Sequence, residues 1–111
     1  MSDQPGDRPD REGGEAGQGA TQMEALRNKI DRLDEQIVKL LNERAEYALQ
    51  LGALKRRAGM ETYQPNREIA VLENAREVND GPLEGHAITR LFARIIDENR
   101  RLERLSEGDD S

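Results

Sequence analysis

The chain has 111 residues, 36% of them charged and 34% hydrophobic, with a formal net charge of −6. That length allows a single domain, and the absence of cysteine excludes a disulfide framework, a thiolate nucleophile and a cysteine-ligated zinc or iron–sulfur centre. A lone histidine, His86, leaves no multi-histidine metal site and argues against Ser-His-Asp chemistry, and the scarcity of aromatics (Tyr47, Tyr63, Phe92, no Trp) argues against a stacking platform for single-stranded nucleic acid.

Residues 1–22 set two arginines against five acids and hold half of the ten glycines and two of the four prolines, with no large apolar residue after Met1. Such a segment cannot bury enough surface to offset its ordering entropy, so a disordered acidic tail is expected over 1–22. Residues 106–111, with Glu107, Asp109 and Asp110, read as a second acidic disordered tail. The acidity belongs to these tails: residues 23–105 carry 15 Lys and Arg against 15 Asp and Glu. A nucleic-acid partner would need a basic surplus there. No apolar run reaches transmembrane length and no signal-peptide core is present, so a cytoplasmic chain without a membrane partner is expected.

The body, 23–105, predicts three helices and an all-α fold. The first covers about 23–57, with the apolar seam Leu26, Ile30, Leu33, Ile37, Leu40, then Arg44 and Tyr47, then Leu51 and Leu54. The steps alternate four and three without a break, a heptad pattern. A helix of that length, about 50 Å at ~1.5 Å per residue, needs a partner along its whole extent. Lys55, Arg56 and Arg57 suit the negative end of its dipole, and Ala58-Gly59 stops it. Pro65 is well placed as the first residue of a second helix, about 65–79, which buries Ile69, Leu72 and Ala75. Asn79-Asp80-Gly81-Pro82 stops that helix. The third, about 84–105, has the seam Ile88, Phe92, Ile95, Asn99, Leu102, broadened by Leu91 and Ile96. One long helix and two short ones enclose little core, and oligomerisation is the usual remedy, so a dimer with paired long helices is expected.

Polar residues interrupt both seams. Arg44 stands between Leu40 and Tyr47, and a buried cation is costly unless paired. It serves either as a register-setting or salt-bridging residue or as an anchor for an anion. Lys55, eleven residues on, shares its face about 16 Å along the axis, near enough for both to close on one small dianion; alone it is a solvated cation at the helix end. Arg27 lies about 25 Å from Arg44 on another face, and only in an antiparallel pair of helices would the partner chain's Arg27 approach this chain's Arg44. Its structural alternative is a surface pair with Asp31. Asn99 is a known kind of register device, and Glu103 follows it by one turn. Arg67 and Glu68 read as a surface pair at the start of the second helix.

Taken together, Ala25-Leu-Arg-Asn-Lys-Ile-Asp31, Leu41-Asn-Glu-Arg44, Leu51-Gly-Ala-Leu-Lys55, Pro65-Asn-Arg-Glu68 and Ile88-Thr-Arg-Leu-Phe92 with Ile95-Ile96 resemble the all-helical (AroQ-type) chorismate mutases over about 23–105. The resemblance implies an intertwined helical homodimer that rearranges chorismate to prephenate for phenylalanine and tyrosine synthesis, using no cofactor and no metal. Arg44 and the partner chain's Arg27 would hold the substrate carboxylates. Lys55 would hydrogen-bond the ether oxygen and a carboxylate. Glu68, beside Arg67, would take the ring hydroxyl, and Asn99 would lie near the ring carboxylate. Gln64 stands where some members carry Asp near the ring hydroxyl. Glu103 stands where many carry Gln, the second donor to the ether oxygen, and a carboxyl group donates only when protonated.

Two other functions suit the same residues. An isochorismate-pyruvate lyase would use the same cationic cage, and a non-catalytic helical dimer would regulate a shikimate-pathway enzyme. The presence together of Arg27, Arg44, Lys55, Arg67 and Glu68 argues against the inert scaffold.

Overall fold

The computed structural model describes residues 14–110, which form three helices: α1, Gly14–Arg57, α2, Pro65–Val78, and α3, Gly85–Asp110. The chain divides into two compact units within α1, between Leu40 and Leu41.

The first unit is the leading part of α1. Its seam stands half-exposed: Met23, Leu26, Ile30, Leu33 and Ile37 each keep 52–57% of their surface. Helix begins at Gly14, ahead of the expected 23, so the tail predicted over 1–22 is helical from 14 onward; residues 1–13 lie outside the described ones. The extension has a simple cause. Pro9 is the last proline before Pro65, and once a helix is nucleated each added residue contributes one hydrogen bond. Thr21 takes part, its hydroxyl donating to the Gly17 carbonyl at 3.0 Å.

The second unit joins the end of α1 to α2 and α3. The Lys55–Arg57 turn closes in a Schellman arrangement: Met60 N–H donates to the Lys55 carbonyl at 2.8 Å and Gly59 N–H to that of Arg56 at 3.1 Å. That geometry places Gly59 at φ +70°, a conformation glycine adopts without a Cβ penalty. Pro65 opens α2, with Glu68 in its positive first turn. Asn79 caps the far end and then organises the turn, receiving the Gly81 N–H at its Oδ1 (3.2 Å) while its amide donates to the Leu83 carbonyl (2.7 Å).

α3 outlasts its expected end at 105 and runs to Asp110, through the stretch predicted to be a loose tail. An ion pair accounts for part of this, since Glu107 accepts from Arg56 Nη1 of α1 at 3.3 Å and anchors the last turns. α2 packs against α3, with Ala75 at 6% exposure the buried apolar residue. Ile69, also expected inside, keeps 53% of its surface. Among the described residues no large side chain is fully buried. A chain with so little interior has most of its apolar area still to cover.

Candidate active site

In the second unit the end of α1, the start of α2 and the middle of α3 line an open cavity of about 290 Å³. Arg44, Tyr47, Leu51 and Lys55 form its α1 wall at helical spacing. α2 contributes residues of its cap and first turn, where Pro65 has fixed the entry angle, and α3 contributes Ile96, Asn99, Arg100 and Glu103. Of the residues marked in the sequence, Arg44, Lys55, Gln64, Arg67, Glu68, Asn99 and Glu103 all line this cavity. Arg27 does not: it is exposed on the first unit.

The two seam interruptions meet each other. Arg44 Nη1 donates to Asn99 Oδ1 across 55 positions of sequence. The expected counter-anion is thus absent from this bond: a neutral amide orients the guanidinium and leaves its charge in place. The cavity wall carries four cations, Arg44, Lys55, Arg67 and Arg100, against two carboxylates, Glu68 and Glu103. Such a wall favours an anionic guest, and guanidinium forks suit carboxylates in particular.

Glu103 stands over Gly52, a buried residue whose added Cβ would lie 3.4 Å from the Glu103 carboxyl carbon. Burial against this part of α1 pushes the Glu103 carboxyl above the ordinary glutamate value. Lys55 pulls it down, Glu107 pushes it up, and Arg56 and Arg100 pull it down; burial prevails. The result is a carboxyl group held nearer to its neutral, proton-donating form.

Glu68 pairs across helices and not with its neighbour Arg67. Its Oε2 accepts from Arg100 Nη2 at 2.6 Å. Spacing alone does not single out Arg100, because it lies beside the Ile95–Asn99–Leu102 seam and not on it. The available signal is Ile96, which broadens the seam one turn earlier on the same row. Among the described residues no group of three His, Asp or Glu side chains gathers as a metal-holding cluster, and no helix is long and apolar enough to cross a membrane.

A sequence model of the family described as chorismate mutase type II matches residues 26–104. The bifunctional chorismate mutase/prephenate dehydratase of Neisseria gonorrhoeae is 42% identical over 78 residues, which are 70% of this chain and 21% of that protein. The protein of the same description from Stutzerimonas stutzeri is 38% identical over 89 residues, 76% of this chain and 24% of its own. The chain therefore spans between a fifth and a quarter of these curated relatives. Among solved structures, form II of the chorismate mutase from Thermus thermophilus is similar at a TM-score of 0.73 and 32% identity, covering 75% of this chain and 94% of that one. A family model that matches most of this chain, and a solved mutase matched along nearly all of its own chain, make this chain a member of the chorismate mutase type II family.

Proposed function

We propose that the chain is a chorismate mutase, rearranging chorismate to prephenate in the cytoplasm as a homodimer with composite active sites. The observation that carries this reading is the cavity itself, where Arg44, Lys55, Glu68, Asn99 and Glu103 converge from three helices. The roles follow the chemistry of the substrate. Chorismate is a flexible dianion that must be held in a compact conformer, and fixed guanidinium donors supply that order in advance. Arg44, pre-oriented by Asn99, takes one carboxylate; the partner subunit's Arg27 takes the other. Glu68, with Arg67 and Gln64 near it, accepts the ring hydroxyl, and Asn99 lies near the ring carboxylate.

As the ether C–O bond breaks, negative charge grows on its oxygen. Lys55 and protonated Glu103 are the donors aimed at that charge, and fixed donors at a developing anion lower the barrier without reorganisation. The bond changes are pericyclic, so no residue of the chain serves as a nucleophile. Support for the dimer is the half-exposed seam from Leu26 to Leu40, which has the heptad spacing of a helix-pairing surface.

The test is direct. Purified chain is mixed with chorismate and, separately, with isochorismate, the loss of each substrate is followed, and prephenate and pyruvate are assayed. Prephenate without pyruvate is the expected result. Stoichiometric pyruvate release from isochorismate, without prephenate from chorismate, would replace the mutase by the lyase, and consumption of neither substrate between pH 5 and 8 would overturn both.

A further inference from the structure

Arg100 has no role in the mechanism above, yet it lines the cavity and is engaged by a carboxylate and an aromatic ring. Its Nη2 donates to Glu68 Oε2 at 2.6 Å, and its guanidinium carbon stands 5.1 Å from the centre of the Tyr63 ring. The Asp97 carboxylate lies 3.6 Å away on α3's own surface, but Asp97 keeps 60% of its side chain in solvent, whereas the Arg100 and Glu68 side chains keep 32% and 26%. Arg100 is thus held between an aromatic face from the α1–α2 loop and a carboxylate from α2.

We propose that Arg100 is a positioning residue that fixes the Glu68 carboxylate for the substrate's ring hydroxyl; this inference rests on the function proposed above. A glutamate has three rotatable bonds, and one left to itself must be ordered by the substrate at the cost of binding. A planar guanidinium clamped on Tyr63 does that ordering beforehand, through one charge-assisted bond to Oε2. A carboxylate accepts at about four lone-pair sites on two oxygens, so the bond to Arg100 leaves capacity for a hydroxyl donor.

The rival reading is that the pair only ties α2 to α3. Against it stands Arg100 Nε, a buried nitrogen without a hydrogen-bond partner. Buried ion pairs are often no better for stability than apolar residues of similar volume. An imperfectly satisfied arginine in a cavity wall is therefore explained better by what its charge does to Glu68 than by cohesion.

The experiment compares the wild-type chain with Arg100→Met, Arg100→Lys, Glu68→Gln and the double variant Arg100→Met/Glu68→Gln, reading kcat, KM and melting temperature. A second readout is the inhibition constant of a chorismate analogue lacking the ring hydroxyl. Arg100→Met is expected to lower kcat/KM about ten- to a hundredfold, the usual cost of removing a group that orients a site residue. Arg100→Lys should recover part of that loss. The double variant should be no worse than the poorer single variant, and the hydroxyl-free analogue should bind Arg100→Met and wild type alike. Should Arg100→Met fail to fold, Arg100→Gln takes its place in every comparison. Unchanged kcat/KM in an active background, an equal loss of affinity for the hydroxyl-free analogue, or losses that multiply in the double variant would each overturn the inference and leave the mutase reading intact. A wild-type chain inert toward chorismate would overturn that reading, and this inference with it.

Discussion

Glu103 carries the sharpest consequence of a single residue's surroundings. On the proposed mechanism an ionised carboxylate at this position would oppose the charge developing on the ether oxygen. Burial lifts its pKa against the pull of Lys55, Arg56 and Arg100, and Glu107 adds to the lift. If Glu103 donates to the ether oxygen as proposed, the neutral acid is its working form, and turnover should be highest at low pH and fall as pH rises through the raised value. A pH–rate profile of kcat tests this, and Glu103→Gln, a donor at every pH, should flatten it while keeping activity near neutrality. A profile shared by wild type and Glu103→Gln would remove Glu103 from the reaction. At this scale the sequence marks Arg44 and Asn99 as polar residues where a seam wants apolar ones, with Glu103 one turn beyond Asn99. It does not pair Arg44 with Asn99, nor Glu68 with Arg100, since both bonds join positions far apart in the chain.

Among the elements, the helices are legible where periodicity and stop signals coincide. The Schellman close at Gly59 and the Pro65 start are both read directly from residue type. The outer ends are not, because no proline or capping signal marks where α1 begins or α3 stops. The first turns of α1 contain Gly14, Gly17 and Gly19, each costing about 1 kcal/mol relative to alanine in a helix interior. Residues 17–22 bring no large apolar side chain that could dock elsewhere. Removal of residues 1–22 should therefore shift the melting temperature by less than about 3 °C, the scale of surface changes in a domain of this size, and leave kcat unchanged. Scanning calorimetry and the chorismate assay on the truncated chain check this. A larger fall in either would mean that these turns pack against something.

For the whole molecule the decisive fact is how little is buried. Among the described residues Ala75 stands almost alone as an interior apolar residue, and the seam from Leu26 to Leu40 is half-exposed. A chain so built is expected to complete its core, and its active site, with a second copy. Arg27→Ala and Arg44→Ala should then each lower kcat/KM by about a hundredfold or more, the scale of losing one fixed charge donor. Mixed under conditions of subunit exchange, the two inactive variants should recover up to about a quarter of wild-type activity, because each mixed dimer of a two-fold assembly has one site with both lesions and one with neither. No recovery after exchange has been demonstrated by mass spectrometry would place Arg27 outside the site.

Helix number and helix type were determined by the sequence alone, because a 3.6-residue period, a glycine stop and a proline start are local properties of the chain. Arg44 and Asn99 stand out as seam interruptions, whereas Gln64, Arg67 and Glu68 are marked as site residues by the family resemblance. Arg27 is marked as well, and it stands exposed on the first unit. What tertiary structure decided is which polar groups face one another. Arg44 meets a neutral amide and so keeps its charge for a ligand, Glu103 is lifted by burial over Gly52, and Arg100 emerges as the partner of Glu68. Each depends on how close two helices approach, and that distance is set by side-chain packing between segments that no local pattern relates.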